Sequence, residues 1–143
     1  MQIKNKNNNI INVKDNRNLG IIANGRGSTA NTAVGNNGST GIVNVSGNNS
    51  VGLFSTNGGK TINTALGTIS VSGTSSLGIV VADSTSAGTN SGIINISGNS
   101  SAGVYNVGTF NMDGGSITAS SPRSVAIYSK PLSATSITGG TIN

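Results

Sequence analysis

One motif recurs along this 143-residue chain, and it recurs in phase. It first reads Ile11-Asn12-Val13-Lys14-Asp15-Asn16-Arg17-Asn18-Leu19-Gly20-Ile21, and returns as Val43-Asn44-Val45-Ser46-Gly47-Asn48-Asn49-Ser50-Val51-Gly52-Leu53. Further copies run from Ile69 to Ile79, Ile94 to Val104 and Ile117 to Ile127, and Ile142-Asn143 opens another. The equivalent residues Val13, Val45, Val71, Ile96 and Ala119 are 32, 26, 25 and 23 residues apart. The repeat length drifts while the spacing inside the motif holds, as it does when loops lengthen on a fixed scaffold. The longest interval carries the extra Asn36-Asn37-Gly38-Ser39-Thr40, a turn composition. Self-similarity at this period is the sequence signature of a stacked repeat architecture.

Inside each copy the period is two. Val43-Asn44-Val45, Ile69-Ser70-Val71 and Ile94-Asn95-Ile96 put apolar residues on one side of a strand and a polar residue on the other. A Ser-Gly-Asn or Ser-Gly-Thr corner follows, whose glycine is expected to supply a positive φ. A second strand then brings Leu19 and Ile21, Val51 and Leu53, Leu77 and Ile79, Ala102 and Val104, Val125 and Ile127. A weaker third strand precedes each copy, marked by Ile62 and Phe110, each seven residues before the next motif. The expected fold is all-β: a right-handed parallel β-helix of about five coils of 23–32 residues, with three short strands per coil, over residues 10–143. Stacking at about 4.8 Å turns each motif position into a column. The expected inner columns are Val43/Ile69/Ile94/Ile117, Val45/Val71/Ile96/Ala119 and Leu19/Val51/Leu77/Ala102/Val125, with Asn12/Asn44/Ser70/Asn95/Thr118 outside. An antiparallel sandwich of short strands would explain the turns but not the in-phase recurrence. Solenoids need covered ends, and neither end carries a recognisable cap, so residues 10–143 are expected to be part of a larger chain, with residues 1–9 a polar N-terminal segment.

Composition suits a thin, regular core. Hydrophobic residues make up 34% and aromatics 3%, too little bulk for a conventional globular core. Charged residues are only 8% and Pro only 2, which argues against disorder, since disordered chains are usually rich in both. There is no Cys and no His, and the acidic residues are Asp15, Asp83 and Asp113. No disulfide or thiolate site can form, and neither a metal nor a cofactor is expected. No apolar run reaches the roughly 20 residues of a spanning helix. Residues 1–9 lack the apolar stretch of a signal peptide, so an exported parent would carry its signal upstream. The net charge of +5 is weighted to Lys4, Lys6, Lys14, Arg17 and Arg26. Nucleic-acid binding would want aromatics interleaved with such a cluster, and none lies near it, so a solvated polar end is the reading.

Residues 41–54, Gly-Ile-Val-Asn-Val-Ser-Gly-Asn-Asn-Ser-Val-Gly-Leu-Phe, resemble the passenger repeat of type V autotransporters, especially the very large fusobacterial-type surface proteins. Residues 67–80 and 92–105 have the same cast, and the likeness extends over about residues 10–143. The motif is degenerate and marks a β-helical passenger rather than one particular adhesin. The resemblance implies export to the bacterial cell surface and a membrane-embedded β-barrel beyond the C-terminus. It further implies adhesion to a protein or glycan on host cells or other bacteria, or self-association. The family supplies no catalytic residues to carry over. An enzyme of polysaccharide cleavage or a passive spacer are the competing expectations.

Several short motifs dissolve on inspection. Gly25-Arg26-Gly27-Ser28-Thr29-Ala30 matches a dinucleotide fingerprint, but no helix-forming stretch follows it, so a turn is expected. Gly59-Lys60-Thr61 resembles the end of a phosphate loop, yet position 54, where its first glycine belongs, is Phe54. The three aspartates fall at different points of the repeat, unlike the clustered carboxylates of glycan-cleaving β-helices. Asn-X-Ser acceptor matches are chance in so Asn- and Ser-rich a chain. One feature stands. The residue after the inner apolar position of the second strand is Ile22, Phe54, Val80, Tyr105 and Tyr128 in successive copies. Period two points this row outward, where it forms a candidate binding strip, unless a loop covers it or the corner turns it inward.

Overall fold

The protein is described by a computed structural model covering residues 10–32 and 40–143, together with the backbone of residues 2–4. It is all strand and turn. In chain order the strands are β1 (Gln2–Lys4), β2 (Ile10–Val13), β3 (Leu19–Asn24), β4 (Thr29–Asn31), β5 (Gly41–Val45), β6 (Val51–Thr56), β7 (Lys60–Asn63) and β8 (Gly67–Val71). They continue as β9 (Leu77–Val81), β10 (Ala87–Asn90), β11 (Ile93–Ile96), β12 (Ala102–Asn106), β13 (Thr109–Ala119), β14 (Val125–Ser129) and β15 (Ala134–Ile142). Strands three apart pair as far as β13, and because β13 spans two faces the later pairs are two apart; every pairing is parallel. The chain therefore winds as a parallel β-solenoid with three faces.

The first face stacks β2, β5, β8, β11 and the second half of β13. The second face stacks β3, β6, β9, β12 and β14, five levels separated by about four full turns. The third face stacks β1, β4, β7, β10, the first half of β13 and the start of β15. The long β13 runs from the third face into the first, with shifts of register around Asp113 and a bend at Gly114-Gly115, where Gly115 has φ 69°. Of the Asn-rich insertion, Asn36 to Ser39 lie outside the described residues, as do most of the N-terminal polar segment and Lys6.

Two of the three expected inner columns are inside. Val43, Ile69, Ile94 and Ile117 are fully buried in register, and Val45, Val71 and Ile96 stack beside them. Ala119, at the last level of this column, is half-buried against the same core. The polar column faces out as expected, and the Asn44 amide donates to Asn12 Oδ1 at 3.0 Å across adjacent coils. The third expected column is a correction. Leu19 is 44% exposed, Val51 and Leu77 are half-buried and Val125 is exposed; Ala102 alone is buried as expected, and none of this row belongs to the main core cluster. The core on the second face is built on Ile21, Leu53, Ile79 and Val104, with Ala23 and Val81 two residues further along their strands and Ile127 partly buried against it. The reason is the glycine between the two rows. A Cβ on Gly52 would lie 2.8 Å from Gly78 O and 3.2 Å from the Val43 and Val45 methyls. Gly52 thus occupies the inward place against the first face, and strict alternation fails at that step. On the third face Phe110 points in, while Ile62 is half-exposed, in register with Thr89 and Asn111.

The first corner, between the first and second faces, also differs from expectation. Its positive-φ residues are Arg17, Asn49, Ser75, Ser100 and Arg123, not Gly47, Gly73 or Gly98. Those glycines are required by closeness instead: a Cβ on Gly73 would come 2.1 Å from Gly47 O, and one on Gly98 2.1 Å from Gly73 O. The same corner carries a buried serine column. The Ser76 hydroxyl donates to Gly47 O at 2.8 Å and accepts from the Ser50 N–H at 3.1 Å; Ser101 repeats both bonds one coil on, at 2.8 and 3.0 Å. These hydroxyls satisfy corner amides and carbonyls that strand pairing leaves unmatched.

Candidate functional site

The row Ile22, Phe54, Val80, Tyr105 and Tyr128 is one continuous column on the second face. Pairing is direct at each level: Ile22 with Phe54, Phe54 with Val80, Val80 with Tyr105, Tyr105 with Tyr128. It alternates with the inward residues on either side, so Ile79 and Val81 enter the core while Val80 between them does not. The row is therefore outward, and no turn of the corner brings it inside. Exposure along it is uneven. Tyr128 is 49% and Ile22 38% exposed, Phe54 and Tyr105 are half-buried, and Val80 is 5% exposed. The short Val80 lies between two larger side chains on neighbouring levels, which shield it. An outward row implies that Phe54, Tyr105 and Tyr128 are substantially exposed; Tyr128 is, while Phe54 and Tyr105 are half-buried, because a stacked row covers its own middle.

The Tyr105 and Tyr128 rings stack at 5.5 Å between centroids and 13° between planes. Offset-stacked pairs of this kind add to the contact energy of the rings beyond simple burial. Lys130 Nζ lies 6.0 Å from the Tyr105 ring centroid, at the outer limit of a cation–π contact. Stacking covers one face of each ring, while Tyr128, at the end of the row, remains 49% exposed.

The displaced row Leu19/Val51/Leu77/Ala102/Val125 runs alongside, three residues earlier on each strand and in register from level to level. The second face consequently presents two adjacent apolar columns, roughly 10 Å apart and roughly 19 Å long from strand rise and spacing. Sequence reading found one column and put the other in the core. The missed signal was the glycine between them, present in four of the five copies at Gly20, Gly52, Gly78 and Gly103 and replaced by Ala126 in the last.

The three aspartates stand at three different corners: Asp15 between β2 and β3, Asp83 between β9 and β10, Asp113 within β13 where the third face bends into the first. Asp83 is the most engaged. Its carboxylate accepts from the Thr85 hydroxyl at 2.6 Å, the Asn57 N–H at 2.6 Å, the Thr56 hydroxyl at 3.0 Å, the Thr85 N–H at 2.9 Å and the Ser86 hydroxyl at 3.0 Å. Led by the Thr85 hydroxyl, these donors hold its pKa well below the ordinary aspartate value of 3.8, against partial burial, which acts the other way. Asp113 accepts from the Ser91 hydroxyl at 2.5 Å. The Gly25-Arg26-Gly27-Ser28 stretch is a turn leading into β4, with Gly25 and Gly27 at φ 98° and 81° and the Ser28 N–H bonded to Gly25 O at 3.1 Å. Among the described residues no three His, Cys, Asp or Glu side chains group as metal ligands, and no helix is long and apolar enough to cross a membrane.

No family model matches this chain, and no curated protein or solved structure matches it either.

Proposed function

We propose that this chain is a length of rod in an exported bacterial surface protein, and that it works by extending and binding rather than by catalysis. The observation that carries the reading is the outward apolar column Ile22/Phe54/Val80/Tyr105/Tyr128, held in register along one face. A core this thin has no use for apolar side chains on its outside, and contiguous exposed apolar patches on soluble proteins commonly mark contact sites. The resemblance of residues 41–54, 67–80 and 92–105 to autotransporter passenger repeats supports a place on the outer cell surface, with an adhesive or stalk role. Support for binding over chemistry comes from the aspartates. They are spread over three corners, and the donors around Asp83 already engage both of its oxygens, leaving it no evident role as an acid or base.

The test replaces Phe54, Tyr105 and Tyr128 by Ser together. The β-sheet circular dichroism should be retained, because the row lies outside the core, and adhesion of the chain to cells should fall at least tenfold, since a few aromatic anchors usually dominate contact energy. Adhesion unchanged in a folded variant would identify the segment as a passive spacer.

A further inference from the structure

Charge is distributed around the solenoid as unevenly as apolar surface is. Six Lys and Arg have described side chains, and all six are exposed. Lys14, Arg17 and Arg123 lie at the corner before the second face; Arg26, Lys60 and Lys130 lie at or directly beside the corner after it. Lys4 ends β1, at the edge of the third face next to the first. Each cationic edge has one acid, Asp15 on the first and Asp83 on the second, and the Asp83 carboxylate is engaged by five hydrogen bonds. The outward columns of the second face carry no charge along the rows from Leu19 to Val125 and from Ile22 to Tyr128. The result is an apolar strip bracketed by a cationic rim on each long side.

We infer that the second face docks flat on an anionic lipid bilayer, with the two apolar columns at the headgroup–acyl boundary and the two rims against lipid phosphates. The inference rests on the reading of this face as a contact surface and names the chemistry of its partner. An apolar face flanked by Lys and Arg is the pattern of interfacial membrane binders, whose long cationic side chains lay apolar stems along the surface and carry the charge to the phosphates. Tyrosines at the strip's end have the apolar body and polar tip that suit the same depth. A sheet face also tolerates apolar surroundings, because its amides are bonded laterally between coils rather than left unpaired. A second copy of the chain fits less well. Two such faces laid together would set cationic corner against cationic corner, whether the solenoids ran parallel or antiparallel. A glycan fits less well too, because stacking covers one face of each tyrosine ring and leaves fewer faces to receive sugars, while the cationic rims have no counterpart in a neutral glycan.

The experiment uses the whole chain with vesicles of phosphatidylcholine and of an equal mixture of phosphatidylcholine and phosphatidylglycerol, read by flotation. The chain should float with the anionic vesicles and not with the neutral ones, and raising the salt should cut the bound fraction at least tenfold. Arg17→Asn, Arg123→Asn and Lys130→Gln together should have a similar effect; Asn is chosen at the two positive-φ positions because Asn49 already occupies that column. Phe54→Ser with Tyr128→Ser should abolish binding at all salt concentrations. A folded chain that ignores anionic vesicles, or that binds both vesicle types regardless of salt, overturns the inference. So does a concentration-dependent dimer in lipid-free sedimentation that Tyr128→Ser dissolves, which would make a second copy the occupant. Cell adhesion that needs Phe54 and Tyr128 without any vesicle binding would reject the lipid partner and keep the contact face; loss of neither would reject both.

Discussion

Asp83 shows how a single side chain can tie coils together in a chain with few charges. It stands where the equivalent turn one coil earlier has Thr56, since each accepts its turn-closing bond through its carbonyl, and it reaches back to Thr56 and Asn57 while also ordering its own turn through Thr85 and Ser86. Because the folded state lowers its pKa, the linkage has a fixed sign. The stabilisation is fully present above the ordinary value of 3.8, where both states are ionised. It is lost as pH falls from there through the depressed folded value, since the unfolded chain then takes up a proton that the folded chain refuses. Urea midpoints measured from pH 6 downward should hold steady and then decline below about pH 4. In Asp83→Asn the plateau should be lower and the decline smaller. A wild-type midpoint that stays level throughout the acid range would mean that the five donors contribute nothing to stability. Neither partner set was visible in the sequence. Asp83-Ser84-Thr85 reads as an ordinary turn, and the bonds to Thr56 and Asn57 exist only once coils are stacked.

At the scale of the element, the corners decide how close the coils can come. Gly47, Gly73 and Gly98 lie one above another, each with a carbonyl of the coil below where a side chain would go. Gly73→Ala would drive a methyl into Gly47 O, and the backbone cannot retreat without opening the ladder on both adjoining faces. The expected cost is about 3 kcal/mol, the upper end for overpacking, seen as a lowered urea midpoint at unchanged slope. A loss under about 0.5 kcal/mol, the level of an ordinary surface change, would show that the corner yields. The same element marks the limit of what the residues alone disclose. The strands, their stacking order and the columns through Val43 and Val45 were legible because apolar and polar residues alternate there at every level. The row from Leu19 to Val125 was misplaced because a two-residue period has no means of knowing that Gly52 takes an inward place. The corner glycines were seen and their role misread: the repeat shows that glycine is needed, not whether φ or contact demands it. The serine column at Ser50, Ser76 and Ser101 was present in the alignment of copies, lost among the many other serines. The candidate strip was legible as a row, while its doubling by the Leu19 row and its cationic rims needed the corners in three dimensions.

The whole molecule is quasi-one-dimensional, so its stability should be set by contacts between neighbouring coils. The middle coils have a partner on each side, and their side chains are the most completely buried: Ile69, Val71, Ile79, Ile94 and Ile96 are all but inaccessible. The last level is thinner. Val125 and Tyr128 are exposed, Ile127 is only half-buried, and Ile137 and Ile142 on β15 are open to solvent. Amide exchange in this chain should therefore be slowest in β8, β9 and β11 and fastest through β14 and β15, because opening an end breaks one coil interface and opening the middle breaks two. Val71→Asp tests the coupling directly. Val71 stacks on Val45 below and Ile96 above. An unpaired carboxylate there loses the apolar contact on both sides and keeps no donor within the core, at a cost of several kcal/mol. Since no coil can bury its own apolar side, the damage should not stay local: protection should collapse in β5 and β11 as well as in β8. The same change at Ile137, already exposed in the last coil, should leave the exchange of β8 and β9 unaltered. If Val71→Asp instead removed protection from its own coil alone, the coils would be folding as independent units, and the columns would be an arrangement of side chains without being the source of cooperativity.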